Sequence, residues 1–207
     1  MKLYDCLRAP NPRRVRWFMA EKGIDDVEVV TLSIMSGEHK SPEYRAKVGI
    51  SHMPALELDD GTVITESVAI CRYLESVYPE PNLFGRDPKE TAIIEMWLRR
   101  VEMMVANPLM QGVRHSHPGM AALEAQVPEV ATYNLDGAKR SLKILDRRLA
   151  ESPFIAADRV TIADVVAAAS LDFGRMIKWR PDPELAHVTR WFDGMLARPA
   201  AQAGMAA

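Results

Sequence analysis

Apolar positions fall into two regimes along this chain. From residue 2 to about 78 they come in short clusters. Lys2-Leu3-Tyr4 opens a strand over residues 2–5, and Pro10-Asn11-Pro12 reads as a loop leading into a helix that carries Val15, Phe18 and Met19 on one face. Gly23 stops that helix. Val27 to Leu32 is β-branched enough for a second strand, and Ser41-Pro42-Glu43 has the form of a cap and first turn for a short helix ending near Gly49. Ala55-Leu56-Glu57-Leu58 and Thr62-Val63-Ile64-Thr65 flank an Asp60-Gly61 turn as a hairpin. Ser67 then opens a helix with Val68, Ile70, Cys71, Leu74 and Val77 at helical spacing. The order β-α-β-α-β-β-α predicts a small α/β unit with a mixed sheet.

Pro79, Pro81 and Gly85 interrupt the pattern, and beyond them strand-like stretches nearly vanish. Asp87-Pro88-Lys89-Glu90 starts a long helix through Ile93, Ile94, Trp97, Leu98, Val101 and Met104, which Pro108 kinks or ends. A second helix spans 128 to 151 with Leu135, Ala138, Leu142, Leu145 and Leu149 as its inner stripe. Thr161-Ile162-Ala163-Asp164 is a capping-box variant before a small-residue helix from Val165 to Leu171, with Asp164 as a cap. Val188, Trp191, Phe192 and Met195 mark the last helix, and the alanine-rich tail from 200 to 207 reads as frayed. The domain expectation is an α/β unit at 1–78, a linker at 79–87 and an all-helical domain at 88–207.

Charge and cysteine usage narrow the function classes. Twenty-six basic against 28 acidic residues leave a formal charge of −2, so the basic footprint of a nucleic-acid binder is missing. No apolar run approaches the ~18 residues of a membrane span, and the chain enters a strand at once without a signal-like leader, so a cytoplasmic protein without membrane or nucleic-acid partners is expected. Cys6 and Cys71 form neither a C-x-x-C pair nor a cluster with histidine at zinc spacing; no metal site and no dithiol centre is expected. Cys6 and Cys71 read as structural, and His115 and His117 as loop residues.

Two dipeptides carry the candidate chemistry. Met53-Pro54 heads the apolar run of the hairpin, where a cis bond would turn the N–H and C=O of Met53 outward to bond a short peptide as an added strand. Glu66-Ser67 stands at a helix start, whose unpaired amides favour a carboxylate while the Glu66 side chain could meet an ammonium group. Together they suit the zwitterionic end of an amino acid.

These motifs, with Asn11-Pro12-Arg13-Arg14-Val15-Arg16, Ala20-Glu21-Lys22-Gly23-Ile24, Met53-Pro54-Ala55-Leu56, Thr65-Glu66-Ser67-Val68-Ala69-Ile70 and Thr161-Ile162-Ala163-Asp164 in that order, resemble the cytosolic glutathione transferase superfamily over nearly the whole chain. The resemblance implies a thioredoxin-like glutathione-binding domain followed by an all-α domain that supplies most of the second-substrate pocket, in a homodimer. It implies glutathione as co-substrate with no bound cofactor, and a small hydrophobic electrophile or a disulfide as the second substrate. By it, Met53 and Pro54 would hold the cysteinyl portion of glutathione, Glu66 and Ser67 the γ-glutamyl end, and one of His39, Lys40 and His52 the glycine carboxylate.

One position departs from the family pattern. The catalytic Ser or Cys of many classes lies six residues before the valine of Arg14-Val15-Arg16, which is Ala9 here. Asn11 matches an asparagine that some bacterial glutathione-dependent disulfide reductases of the superfamily use, and its amide can donate to sulfur; a turn or cap role is the alternative. Met104, Asn107, Met110 and Arg114 fall on the helix that faces the electrophile in the family, with a core or interface role as the alternative for each. Three functions stand at this point: conjugation of glutathione to an electrophile, glutathione-dependent disulfide or peroxide reduction, and a catalytically weak glutathione-binding regulatory module.

Overall fold

Alternation along the first strand decides how the α/β unit is layered. In β1 (Lys2–Asp5) Leu3 and Asp5 turn to one face and Tyr4 to the other, and all three are buried. Both faces of the strand are therefore covered. β2 (Glu28–Thr31) lies parallel to β1, while β3 (Ala55–Glu57) runs antiparallel to β1 and β4 (Val63–Thr65) antiparallel to β3, giving the sheet order β2-β1-β3-β4. The mixed sheet matches the sequence expectation. Tyr4, Tyr44, Met53 and Ala55 form one cluster, with Tyr4 and Tyr44 edge to face at 5.7 Å. Tyr44 comes from α2 (Pro42–Val48), whose Ser41 hydroxyl accepts the Tyr44 amide at 3.1 Å as an N-cap.

α1 (Pro10–Lys22) and α3 (Ser67–Val77) pack against one another. A buried ion pair joins them: Lys22 Nζ lies 2.8 Å from Glu75 Oε2, donates to the Pro81 carbonyl at 2.7 Å and stands over the Phe18 ring. Such a pair is retained only with its partners in place, because an unpaired buried ammonium costs several kcal/mol. α1 begins at Pro10, not near Arg13, so the Pro-Asn-Pro stretch expected as a loop is the helix's first turn. Proline fits there because those positions have no amide to offer the ladder anyway.

The computed structural model describes residues 1–205 and divides into Met1–Asn82 with the segment from Gln202 onward, and Leu83–Ala201. The division at 82/83 falls inside the segment 79–87. The tail differs from the frayed end expected: Gly204 is buried within the first unit, while 206–207 lie outside the described residues.

In the second unit α4 (Pro88–Val101) passes through a π-turn at Glu102–Ala106 into α5 (Asn107–Ser116). Pro108 thus neither ends the helix nor stands alone in it: the Asn107 amide reaches back five residues to the Glu102 carbonyl, and the widened turn accommodates the missing amide of Pro108. α6 (Pro128–Glu151), α7 (Ile162–Phe173) and α8 (Ala186–Leu196) follow, with α6 matching its expected bounds. α5 lies so close to α6 that a Cβ on Gly112 would stand 2.4 Å from a Leu135 methyl carbon.

Asp164 organises this unit. Its Oδ2 accepts from the Thr161 amide at 3.0 Å and hydroxyl at 2.8 Å, and its Oδ1 from the Ile155 amide and the Trp191 indole, both at 2.9 Å. Burial raises its pKa above the usual carboxylate range, and the four donors act against that rise. Removing the carboxylate orphans four buried donors at about 1 kcal/mol or more each, so Asp164→Ala is expected to lose at least ~3 kcal/mol of unfolding free energy in urea titration. A loss below about 1 kcal/mol would show that water or a rearranged chain satisfies those donors.

Candidate functional site

Helix starts need partners for their first amides, and the first unit leaves two of its helix starts without a side-chain cap. At α3 the N-cap is Glu66, no side chain caps it, and no acidic residue stands in the first turn. The first intrahelical bond is Ile70 N–H to Glu66 C=O at 3.0 Å, so the amides of Ser67, Val68 and Ala69 have no partner in the helix ladder. They form an anion-binding end. Glu66 itself has φ 67° and ψ 118°, a conformation that costs a non-glycine residue about 1–3 kcal/mol, and its side chain is exposed.

At α1 the N-cap is Ala9, again without a side-chain hydrogen bond. Pro10 and Pro12 have no N–H and Arg13 N–H bonds the Ala9 carbonyl at 3.0 Å, so Asn11 supplies the one backbone amide of that turn left outside the ladder. The Asn11 carboxamide Oδ1 is buried with no hydrogen-bond partner. Ala9, at the position where the family resemblance expects a hydroxyl or thiol, has neither.

Between the two starts in sequence lies Met53-Pro54, which is cis. The Met53 side chain is 9% exposed and packs with Tyr4, Tyr44 and Ala55, so what it can offer a ligand is its backbone. Neither its N–H nor its C=O joins the β3 ladder, which begins at Ala55. The approach to it is fixed from below: the Tyr44 hydroxyl donates to the His52 carbonyl at 2.5 Å, and Arg45 Nε donates to Ser51 Oγ at 2.8 Å. Burial, with Tyr4 nearby, pushes the Tyr44 hydroxyl up to about 12, so it remains a donor at neutral pH.

His39 lies in a 3₁₀ turn at Glu38–Lys40 and is buried at 7% exposure, its Nδ1 without a hydrogen-bond partner. Burial, then the electrostatic influence of Lys40, His52 and Arg45, holds its pKa below the ordinary histidine range. At neutral pH it is an uncharged imidazole beside the cations Lys40 and Arg45. The three residues expected near a glycine carboxylate thus share one neighbourhood; Lys40 and His52 are exposed and His39 is not.

In the second unit Leu109, Gly112 and Val113 form the buried stripe of α5. Asn107, Met110 and Arg114 lie on a different face at helical spacing, with Met104 in the π-turn before them. Met104, Asn107 and Arg114 are exposed and Met110 is half-buried; Arg114 stands 3.6 Å from Glu124. None of these four lines a cleft of about 590 Å³ whose walls include Leu149, Phe154, Arg190 and Trp191. His115 and His117 both have structural tasks, their Nδ1 atoms accepting from the amides of Val127 and Gly119. Among the described residues no three His, Cys, Asp or Glu side chains are grouped to hold a metal, and no helix is long and apolar enough to cross a membrane.

Two features near the first-unit site were not singled out from the sequence. Asp5, at the end of β1, is 1% exposed, and burial raises its pKa while Arg16 opposes the rise. Arg8 has φ 63°, and its amide donates to the Gly204 carbonyl at 2.9 Å. Only strand alternation hinted at the first, and nothing local at the second.

Comparison with known proteins agrees with this geometry. Residues 3–82 match the family description "Glutathione S-transferase, N-terminal domain" and residues 100–199 match "Glutathione S-transferase, C-terminal domain". The chain is 34% identical to glutathione S-transferase 2 of Saccharomyces cerevisiae over 96% of its own length and 87% of that protein's. Among solved structures, a glutathione S-transferase domain-containing protein of Marinobacter aquaeolei is similar at 39% identity and a TM-score of 0.91, covering 97% of this chain and 99% of the other. A class Gtt2 glutathione S-transferase of Vibrio parahaemolyticus is 32% identical with a TM-score of 0.85, over 99% and 96% of the two chains.

The backbone of Glu66 gives the site a test that needs no ligand. A residue held at positive φ against its preference lowers stability, and glycine has no such preference. Glu66→Gly is therefore expected to raise the unfolding free energy by about 1 kcal/mol in urea titration. A loss instead would mean that the Glu66 side chain contributes to the fold.

Proposed function

The chain belongs to the glutathione S-transferase family, and on that premise we propose that it binds glutathione in its first unit and activates the thiol for attack on a small hydrophobic electrophile. The observation that carries this reading is the start of α3, where three free amides follow a carboxylate on a strained backbone. A γ-glutamyl group brings a carboxylate and an ammonium on one carbon. The carboxylate suits the amides of Ser67 and Val68, and the ammonium suits Glu66. The cysteinyl portion then lies along Met53 as an added strand, bonded by its N–H and C=O beside Pro54. Lys40 draws the glycine carboxylate by charge, and the rings of His52 and neutral His39 offer donors.

Thiol activation falls to the start of α1. With no hydroxyl at Ala9, the donors for sulfur are the backbone amide and the carboxamide of Asn11. A hydrogen bond to a charged group contributes about 1.5–3 kcal/mol, and one pKa unit is about 1.36 kcal/mol, so one such donor lowers the bound thiol by roughly one to two units. The helix dipole adds about 0.3–1 kcal/mol in the same direction. The thiol proton leaves to solvent, and the thiolate forms a carbon–sulfur bond as the electrophile's leaving group departs with its electron pair. Met104, Asn107, Met110 and Arg114 are the proposed face for the electrophile, methionine being adaptable in shape, and the proposed assembly is a homodimer.

A second reading rests on Asn11 as the sulfur donor, with Ala9 at the position of the usual hydroxyl. A thiolate held by an amide can instead attack one sulfur of a disulfide, forming a mixed disulfide and releasing the other sulfur as thiolate. A module that binds glutathione without efficient turnover is the third outcome of the same experiment.

That experiment follows glutathione binding by calorimetry and bound thiolate by ultraviolet absorbance against pH, with turnover on an aryl halide, an organic peroxide and a disulfide. Asn11→Ala is expected to raise the bound-thiol pKa by about one unit and to lower turnover near pH 6.5 about tenfold, with the loss shrinking as pH rises through the new pKa. An unshifted thiol and unchanged turnover would remove Asn11 from the mechanism.

A further inference from the structure

The four residues between β1 and α1 include Ala9, and their geometry decides where the Asn11 donors stand. The loop is tied on one side by its own chain: the Ala9 amide bonds the Cys6 carbonyl at 3.3 Å, and the Ala9 carbonyl receives the Arg13 amide at 3.0 Å. Between these ties Arg8 sits at φ 63°, a left-handed conformation that an arginine adopts only when something outside it insists. Its exposed side chain supplies no such constraint. Its amide does, by donating to the Gly204 carbonyl at 2.9 Å.

Gly204 is fitted to this task in two ways. Its own φ is +76°, which L side chains rarely adopt, and a Cβ there would stand 3.2 Å from Arg16 Cβ, 3.3 Å from Arg16 Cγ and 3.4 Å from Arg13 Cα. The tail backbone thus lies directly on the first two turns of α1. A turn closed by Met205 N–H to Gln202 C=O at 3.1 Å presents the Gly204 carbonyl to the loop.

We propose that Gly204 is a positioning residue for thiol activation: its carbonyl holds Arg8 left-handed, and its lack of a side chain lets the tail rest on α1, which fixes the Asn11 donors relative to the bound sulfur. This rests on the glutathione reading above. Gly204 acts through the loop and touches no substrate. Its loss therefore changes the state of the thiol more than the hold on the tripeptide, whose other contacts come from Met53, Glu66 and Ser67.

The test compares wild type, Gly204→Ala and the double variant Gly204→Ala/Arg8→Gly in the full chain. In Gly204→Ala the glutathione Kd is expected to stay within about twofold, while the bound-thiol pKa rises by about half a unit or more and kcat near pH 6.5 falls about fivefold. In the double variant most of kcat returns, because glycine at position 8 takes the left-handed conformation without being held. If Gly204→Ala does not fold, amide hydrogen exchange on the wild type decides: the Arg8 amide is expected to exchange at least about tenfold slower than an unprotected amide. An unshifted thiol with unchanged kcat in Gly204→Ala overturns the proposal, as does weaker glutathione binding with the thiol pKa unmoved, or an Arg8 amide that exchanges freely. A wild type that binds no glutathione overturns this proposal and the functional reading together, whereas an active wild type with an indifferent Gly204→Ala overturns this proposal alone.

Discussion

A helix that begins without a cap must find partners for its first amides elsewhere, and the first unit is built around that constraint. At α2 a side chain closes the start, that of Ser41. The second unit does the same at α4 with Asp87, and at α8 Asp146 reaches across to accept the amides of His187 and Val188 at 2.9 and 3.0 Å. α1 and α3 are left open. At α3 the open start is combined with a residue held at φ 67°, a cost the fold bears without any compensating side-chain cap. Open amides, a strained acidic neighbour and an unpaired Met53 backbone are the polar inventory of a peptide's main chain turned inside out.

The rest of the first unit keeps those groups in place. Tyr4, Tyr44 and the Met53 side chain pack together on one face of the sheet, so the Met53 peptide is carried on the core. On the other side, Lys22 and Glu75 join the end of α1 to α3, whose starts both bear on the proposed ligand. Because the pair is buried, its geometry is exacting in a way a surface pair is not. The tail supplies the remaining constraint through Gly204 and Arg8.

Local signals in the sequence were sufficient where the physics is local. Asp60-Gly61 marks the hairpin because glycine takes φ 85° there, and the apolar stripe of α6 fixes a 24-residue helix on its own. The cis Met53-Pro54 bond and the helix start at Ser67 were legible for the same reason, whereas the positive φ of Glu66 does not follow from its residue type. What escaped depends on contacts between distant segments or on the helix ladder itself. Two prolines around Asn11 read as a loop, although proline is at home in a first turn. Pro108 read as a kink or an end, and a π-turn absorbed it. Arg8 has no local reason to be left-handed, and the alanine-rich composition of the tail gave no sign that its glycine would be buried.

The central claim is that the start of α3, with Glu66, grips the γ-glutamyl end of a thiol peptide. Calorimetric titration with glutathione, γ-glutamylcysteine and cysteinylglycine addresses it directly, since the two fragments each lack one end. Loss of the carboxylate–amide and ammonium–Glu66 contacts, at about 1.5–3 kcal/mol each, predicts cysteinylglycine affinity at least about a hundredfold below that of glutathione, with γ-glutamylcysteine much closer to it. Equal binding of cysteinylglycine and glutathione would contradict the account.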